Sequence, residues 1–255
     1  MDGALYLRDS YLQTCSSKVI SVKDAHSAPQ NGSASSQGES GGGKYVVLDQ
    51  TVFYPRGGGQ PWDTGKLVRI SDGKEFSVVA VVKADGAISH EITGEGLCEG
   101  DSAECKIDWA RRHKLMRMHT AGHILSAIMF RTGIMITGNQ IDVDRTRFDF
   151  SMENFDKEAF QSLVAQANAA IARNLDVEVT FLPREEAMKI AGAVKLAAAL
   201  PPDVKELRMV KIGDVDYQAD GGTHVKNTSE IGKLVFLGAE NKGKSNRRIY
   251  YGLEP

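Results

Sequence analysis

Apolar positions along the chain fall into two regimes that change over near Asp108. Before it the period is two. KVISVKDA alternates, and YVVLDQTVFY, GKLVRI, EFSVVAVVK, AISHEI and SAECKID follow with turn residues between them. Short strands so spaced predict a small barrel or sandwich. Between them lies SAPQNGSASSQGESGGG, Ser27–Gly43, which is too polar to bury enough surface to offset chain entropy. It is expected to be a mobile loop within a β unit.

After Asp108 the period lengthens. Trp109–Gly133 reads as a helix with Leu115, Met118, Ile124, Leu125 and Ile128 on one side and Gly133 as its cap. MITGNQIDVDRTRFDFS alternates like a strand pair. Asp156–Leu175 predicts a second amphipathic helix capped by Asp156, and VEVTFLP predicts a strand. PREEAMKIAG places Pro183 at a helical first position, and LRMVKI, EIGKLVFLGAE and RRIYYGLE return to strands. The expected fold class is α+β: a small β-barrel amino-terminal domain, residues 1–108, followed by an α+β domain, residues 109–255.

Composition narrows the possibilities. The 255 residues are 42% hydrophobic and 25% charged, ordinary values for a globular chain. Apolar stretches fall far short of the ~20 residues that cross a bilayer. MDGALYLRDS carries neither a basic nor an apolar leader segment, and Cys15, Cys98 and Cys105 make no disulfide framework. A cytoplasmic protein, not associated with membranes and monomeric, is expected. The 31 basic and 33 acidic residues, net −2, do not suit a coat for long nucleic acids but permit a local patch that grips one RNA end.

Chemistry concentrates in a few motifs. His119 and His123 stand at i and i+4 in HTAGH, which puts both imidazoles on one helix face, where they can share a metal. Threonine occupies the second position, where a zinc peptidase needs glutamate, so proteolysis is set aside. Asp220 and His224 repeat the four-residue offset in DGGTH, on glycines that permit a close backbone approach. Together the half-sites predict a four-ligand metal centre. Asp220 could be a ligand, or could orient a histidine from behind. Thr51–Gly65, TVFYPRGGGQPWDTG, reads on composition alone as a hairpin loop. It could also hold backbone against a ligand, with Thr51 and Gln60 as polar contacts. Arg111, Arg112, His113, Lys114 and Arg117 open the histidine helix, and Lys242, Lys244, Arg247 and Arg248 cluster later. Such runs are ordinarily solvated faces, but beside a site they would hold phosphates.

YLRDSYL, TVFYPRGGGQPWDTG, HTAGH, RTRFDF and GGTHV occur here in the order found in one family. The chain resembles the editing domain of alanyl-tRNA synthetase and its free-standing relatives, the AlaX proteins, in their medium-length form. The resemblance implies a trans-editing hydrolase, an aminoacyl-tRNA deacylase. It would cleave serine, and glycine, from the acceptor end of mischarged alanine tRNA with the help of one zinc ion. It puts metal ligands at His119, His123 and His224. The fourth family ligand is commonly cysteine, where this chain has Asp220. Thr51 and Gln60 are the expected catalytic-pocket contacts. Gly57, Gly58, Gly59, Gly222 and Thr223, with Arg112 and Arg117, are the expected substrate-binding residues. Two other readings remain open: editing of another mischarged tRNA, as in threonyl-type domains, and a zinc-stabilised tRNA-binding module without hydrolysis.

Overall fold

The computed structural model describes residues 3–24, 43–84, 86–190 and 204–254. The expected loop Ser27–Gly43 lies, apart from Gly43, outside the described residues. The chain divides into two compact units, residues 1–57 with 61–112, and residues 58–60 with 113–255.

The first unit is built on the period-two runs. β1 (Thr14–Asp24), β2 (Lys44–Leu48), β3 (Gly65–Arg69), β4 (Glu75–Ala84), β5 (Ala87–Thr93) and β6 (Ser102–Ile107) close into an antiparallel barrel. Its strand order is β1–β2–β5–β4–β3–β6. Closure settles the barrel-or-sandwich alternative and leaves no open edge. The inward faces supply the core: Val19, Val46, Leu67, Phe76, Ile92 and Cys105. Each fully buried aliphatic or aromatic side chain there contributes roughly 1.5–3 kcal/mol. β4 keeps this face despite an irregular alternation. Its register shifts between Val78 and Ala80, so that Phe76, Val78 and Val81 are all buried while Val79 turns outward. YVVLDQTVFY is not one strand, because β2 ends at Leu48 and Thr51 makes only an isolated bridge to Ala4.

The second unit holds α1 (Trp109–Arg131) from His113 onward. Gly133 closes this helix: its N–H bonds the Phe130 carbonyl, and the Ile134 N–H bonds that of Met129. A four-stranded sheet of order β12–β13–β8–β7 comprises β7 (Ile136–Gln140), β8 (Thr146–Ser151), β12 (Lys233–Asn241) and β13 (Asn246–Glu254). A three-stranded sheet of order β11–β10–β9 comprises β9 (Val177–Pro183), β10 (Glu206–Ile212) and β11 (Asp216–Ala219). α2 (Lys157–Ile171) carries its expected cap, with Asp156 accepting from the Glu158 and Ala159 N–H groups. PREEAMKIAG departs from expectation. Pro183 ends β9, and among the described residues a single turn, α3 (Arg184–Ala187), follows.

The one-sided reading of α1 also needs correction, since every residue from Met118 to Met129 is buried. One side packs on the inner face of the larger sheet. A Cβ on Gly122 would come within 2.6 Å of both the Phe148 ring and the Tyr251 hydroxyl, so glycine permits this approach. The Tyr251 hydroxyl donates to the Met118 carbonyl at 2.8 Å. His119 and His123 are buried as well.

Candidate metal centre

Four side chains separated by up to 105 positions meet in the second unit. One ligand atom each from His119, His123, Asp220 and His224 lies within 4.8 Å of all the others. The ring centroids of the three imidazoles are 4.4 to 4.9 Å apart. α1 supplies two rings by its i, i+4 spacing, and the turn after β11 supplies Asp220 and His224. The Gly222 N–H donates to Asp220 Oδ1 at 2.6 Å, and Arg208 donates to the Asp220 carbonyl at 2.8 Å, which together shape this turn. A Cβ on Gly222 would overlap the His119 ring, so glycine lets the backbone cross the imidazole.

Each imidazole is held from behind through Nδ1. His119 Nδ1 donates to Gln60 Oε1 at 2.8 Å. His123 Nδ1 donates to Asp216 Oδ2 at 3.0 Å, with the Gln218 amide 2.6 Å from the same nitrogen. His224 Nδ1 donates to Thr120 Oγ1 at 3.1 Å, and that hydroxyl in turn donates to the Met116 carbonyl. These acceptors put a proton on each Nδ1 and leave each Nε2 with its lone pair. The Nε2 atoms of His119, His123 and His224 lie 3.7, 3.8 and 3.0 Å from the Asp220 carboxylate. Three lone pairs and an anionic group directed at one another in a buried site repel unless a cation or proton lies among them. The donor set therefore fits a metal ion.

Electrostatics agree for two of the three rings and for the carboxylate. Burial pushes His119 well below the usual histidine range and His224 down to about 4, so both are neutral near pH 7. Burial works the same way on His123, but Asp216 and Asp220 outweigh it and raise the ring to about 9. Burial would raise Asp220, yet His119, His123 and His224 hold it well below the usual carboxylate range. His119 and His224, neutral beside an anionic carboxylate, are in the state that metal binding requires, and His123 gives up its Nε2 proton when a metal enters.

Comparison with known proteins places the chain in a family. A model described as the threonyl and alanyl tRNA synthetase second additional domain matches residues 207–250, which include Asp220 and His224. A class II (A) tRNA synthetase model matches residues 9–111. The alanyl-tRNA editing protein AlaX-M of Methanosarcina barkeri is 44% identical, covering 99% of each chain. The AlaX-M protein of Saccharolobus solfataricus is 41% identical over the full length of both. The chain belongs to the AlaX family. It is also 38% identical to a stretch of the alanine–tRNA ligase of Methanothrix thermoacetophila, over 81% of this chain and 23% of that one.

In this AlaX chain the remaining expected site residues fall into two groups. Gln60 and Thr223 lock together: Gln60 Nε2 donates to Thr223 Oγ1 at 2.9 Å, and the Thr223 N–H donates to Gln60 Oε1 at 3.1 Å. Gln60 thus steadies His119. The glycine run is held through its three carbonyls. Tyr54 Oη donates to the Gly57 carbonyl, Asn139 to that of Gly58 and the Ile141 N–H to that of Gly59. Thr51 lies in the first unit, 2.8 Å from His90 Nε2.

Several of the basic residues are spent internally. Arg112 is fully buried, forks onto Asp63 and donates to the carbonyls of Ser10 and Val52. Enclosed in this way it offers no N–H to a phosphate, which corrects the expectation for it. Arg117 donates twice to the Ile231 carbonyl, at 3.0 and 2.7 Å, and His113 pairs with Glu230. Arg248 forks onto Asp149. Sequence reasoning missed Asp216, Gln218 and Thr120. Asp216 and Gln218 share one face of β11 by the period-two rule, and Asp216 stands one short strand before Asp220.

Proposed function

We propose that this AlaX protein is a trans-editing aminoacyl-tRNA deacylase. It hydrolyses the ester of serine, and of glycine, on the acceptor end of alanine tRNA. A synthetase pocket shaped for alanine cannot strongly exclude glycine and rejects serine imperfectly, so a second hydrolytic sieve is needed. The names of the AlaX-M relatives support the reading, and the convergence of three histidine Nε2 atoms on Asp220 carries it. Nitrogen donors with one carboxylate suit Zn2+. His119, His123, Asp220 and His224 would hold it, and when bound it supplies a Lewis acid for an ester carbonyl. Gln60, Asp216 and Thr120 fix the three rings and so keep their nitrogens directed inward.

Thr51 is the proposed reader of the serine hydroxyl. His90 Nδ1 is 3.0 Å from the Val46 carbonyl, and burial lowers the ring's pKa to about 4. A neutral ring that donates there accepts the Thr51 hydroxyl proton at Nε2. The Thr51 oxygen already accepts from the Phe53 N–H at 3.0 Å, which leaves one lone pair for a hydroxyl that serine has and alanine lacks. No helix among the described residues is long and apolar enough to cross a membrane.

The test is to incubate the protein with seryl-, glycyl- and alanyl-tRNA of the alanine acceptor, with and without a chelator. Loss of serine and glycine but not alanine, suppressed by the chelator and restored by zinc, is expected. Retention of tRNA without hydrolysis would leave the zinc-stabilised binding module. Thr51→Val should lower kcat/KM on seryl-tRNA about tenfold while sparing glycyl-tRNA, and Thr51→Ser should restore it.

A further inference from the structure

RTRFDF, Arg145–Phe150, is a motif that the metal centre does not use. Its alternation on β8 sends Thr146, Phe148 and Phe150 to the buried face that packs on α1. Arg147 and Asp149 go to the opposite face. There Arg147 stands between two cross-strand partners, Gln140 on β7 and Tyr250 on β13. These residues, with Arg145, Asp142 and Asp144, line a pocket of about 260 Å³. Sites that enclose a drug-sized ligand measure roughly 300–1,000 Å³, so this one has room for a single sugar–phosphate unit.

The pocket's charges are not internally satisfied. Asp149 holds Arg248 in a bidentate pair at 2.7 and 2.9 Å, which uses both groups. Neither Arg145 nor Arg147 has a carboxylate at ion-pair distance among the described residues. Arg147 Nε is buried and lacks a hydrogen-bond partner, so the protein itself does not offset the desolvation of this guanidinium. Arg145 lies over the Tyr250 ring, 4.5 Å from its centroid, which is a stacked cation–aromatic platform. Asp142 and Asp144 share the same lining and would repel a bare phosphate. They suit a ligand that carries hydroxyl donors beside its phosphate, as ribose does.

We propose that this outer face of the β12–β13–β8–β7 sheet is an RNA-backbone site. Arg147 and Arg145 would take a phosphodiester, and Asp142 or Asp144 would accept from a 2′-hydroxyl. The sheet separates the pocket from α1 and its histidines, so the contact falls on RNA remote from the aminoacyl ester. The inference rests on tRNA being the substrate. It adds a second anchor that measures more of the tRNA than its terminus.

The test compares Arg147→Gln with the wild type, both zinc-loaded, on full-length seryl-tRNA and on 3′-seryl-adenosine, which is too short to span both sites. Expected are a KM for the tRNA raised about tenfold with kcat retained, a salt dependence shallower by about one phosphate contact, and no such penalty on the short ester. Arg145→Gln, at an exposed position, gives the same readout if Arg147→Gln fails to fold. Asp142→Asn combined with Asp144→Asn should erase a preference for a ribose over a 2′-deoxy backbone. Unchanged tRNA KM and salt slope in both arginine variants would overturn the proposal while leaving the editing activity standing. An equal loss on the short ester would overturn it too, because the effect would then be structural. AMP saturating the pocket more tightly than tRNA would assign it to free nucleotide instead. A wild type that deacylates nothing would remove the editing reading and this inference together.

Discussion

Replacing Asp216 tests whether the hydrogen bonds behind the histidines set metal affinity. Asp216 is buried, and its Oδ2 accepts the His123 Nδ1 proton at 3.0 Å. Asp216→Asn keeps the shape and an acceptor oxygen but removes the charge. A hydrogen bond to a charged group is worth about 1.5–3 kcal/mol against about 1 for a neutral one. The difference, about 0.5–2 kcal/mol, corresponds to zinc binding weaker by roughly two- to thirtyfold. That overlaps the tenfold to hundredfold usually lost with such partners. Asp216→Ala also removes the acceptor and should lie near the upper end. Competition with a chromophoric chelator near neutral pH measures the affinities directly. Urea unfolding of the metal-free proteins separates loss of affinity from loss of fold. Equal zinc affinity in the wild type and Asp216→Ala would show that packing alone orients His123.

Three further outcomes follow from buried contacts. Gly222→Ala places a methyl against the His119 ring, so zinc affinity should fall at least tenfold while barrel stability stays unchanged, as read by zinc competition and Trp fluorescence. Arg112→Met strands the buried Asp63 carboxylate and should cost about 3–5 kcal/mol in urea unfolding, whereas adding Asp63→Leu should recover much of it. Burial holds His90 at about 4 in the folded protein against about 6.5 unfolded, so the unfolded chain binds the extra proton between these values. The His90 contribution is therefore fully present above pH ~6.5 and declines as pH falls toward 4, by about 3 kcal/mol in all. Fluorescence of Trp62 and Trp109, both in the first unit, reports this loss, and His90→Gln should flatten it.

What was legible in the sequence was what local periodicity encodes. Period-two runs gave the barrel strands, except that YVVLDQTVFY ran past the end of β2, because apolar residues resume at Val52–Tyr54, where the described residues form only the isolated Ala4–Thr51 bridge. The Asp156 and Gly133 caps are read from one residue and its neighbours, and both hold. PREEAMKIAG misled because Pro183 is equally at home ending an edge strand, here β9 at the rim of its sheet. The basic cluster misled for a different reason. Charge is visible in a sequence but its partner is not, and Asp63, Ser10 and Val52 reach Arg112 from positions 49 to 102 residues away.

The same limit explains the metal centre. His119, His123, Asp220 and His224 could be picked out because two four-residue offsets are written locally. Their supports could not, since Gln60 lies 59 residues before His119, and Asp216 lies 93 residues after His123. Yet these supports are what make the cluster a candidate metal site. Three buried imidazoles with free rotation could satisfy one another or solvent. Once each Nδ1 is committed to an acceptor of its own, the three Nε2 lone pairs face the Asp220 carboxylate, and only a proton or a cation relieves them. Asp220 extends the point. Whether thiolate or carboxylate stands at that position, it brings one negative charge to rings that cannot turn away, so the requirement for a cation comes from the outer hydrogen bonds as much as from the ligand's identity.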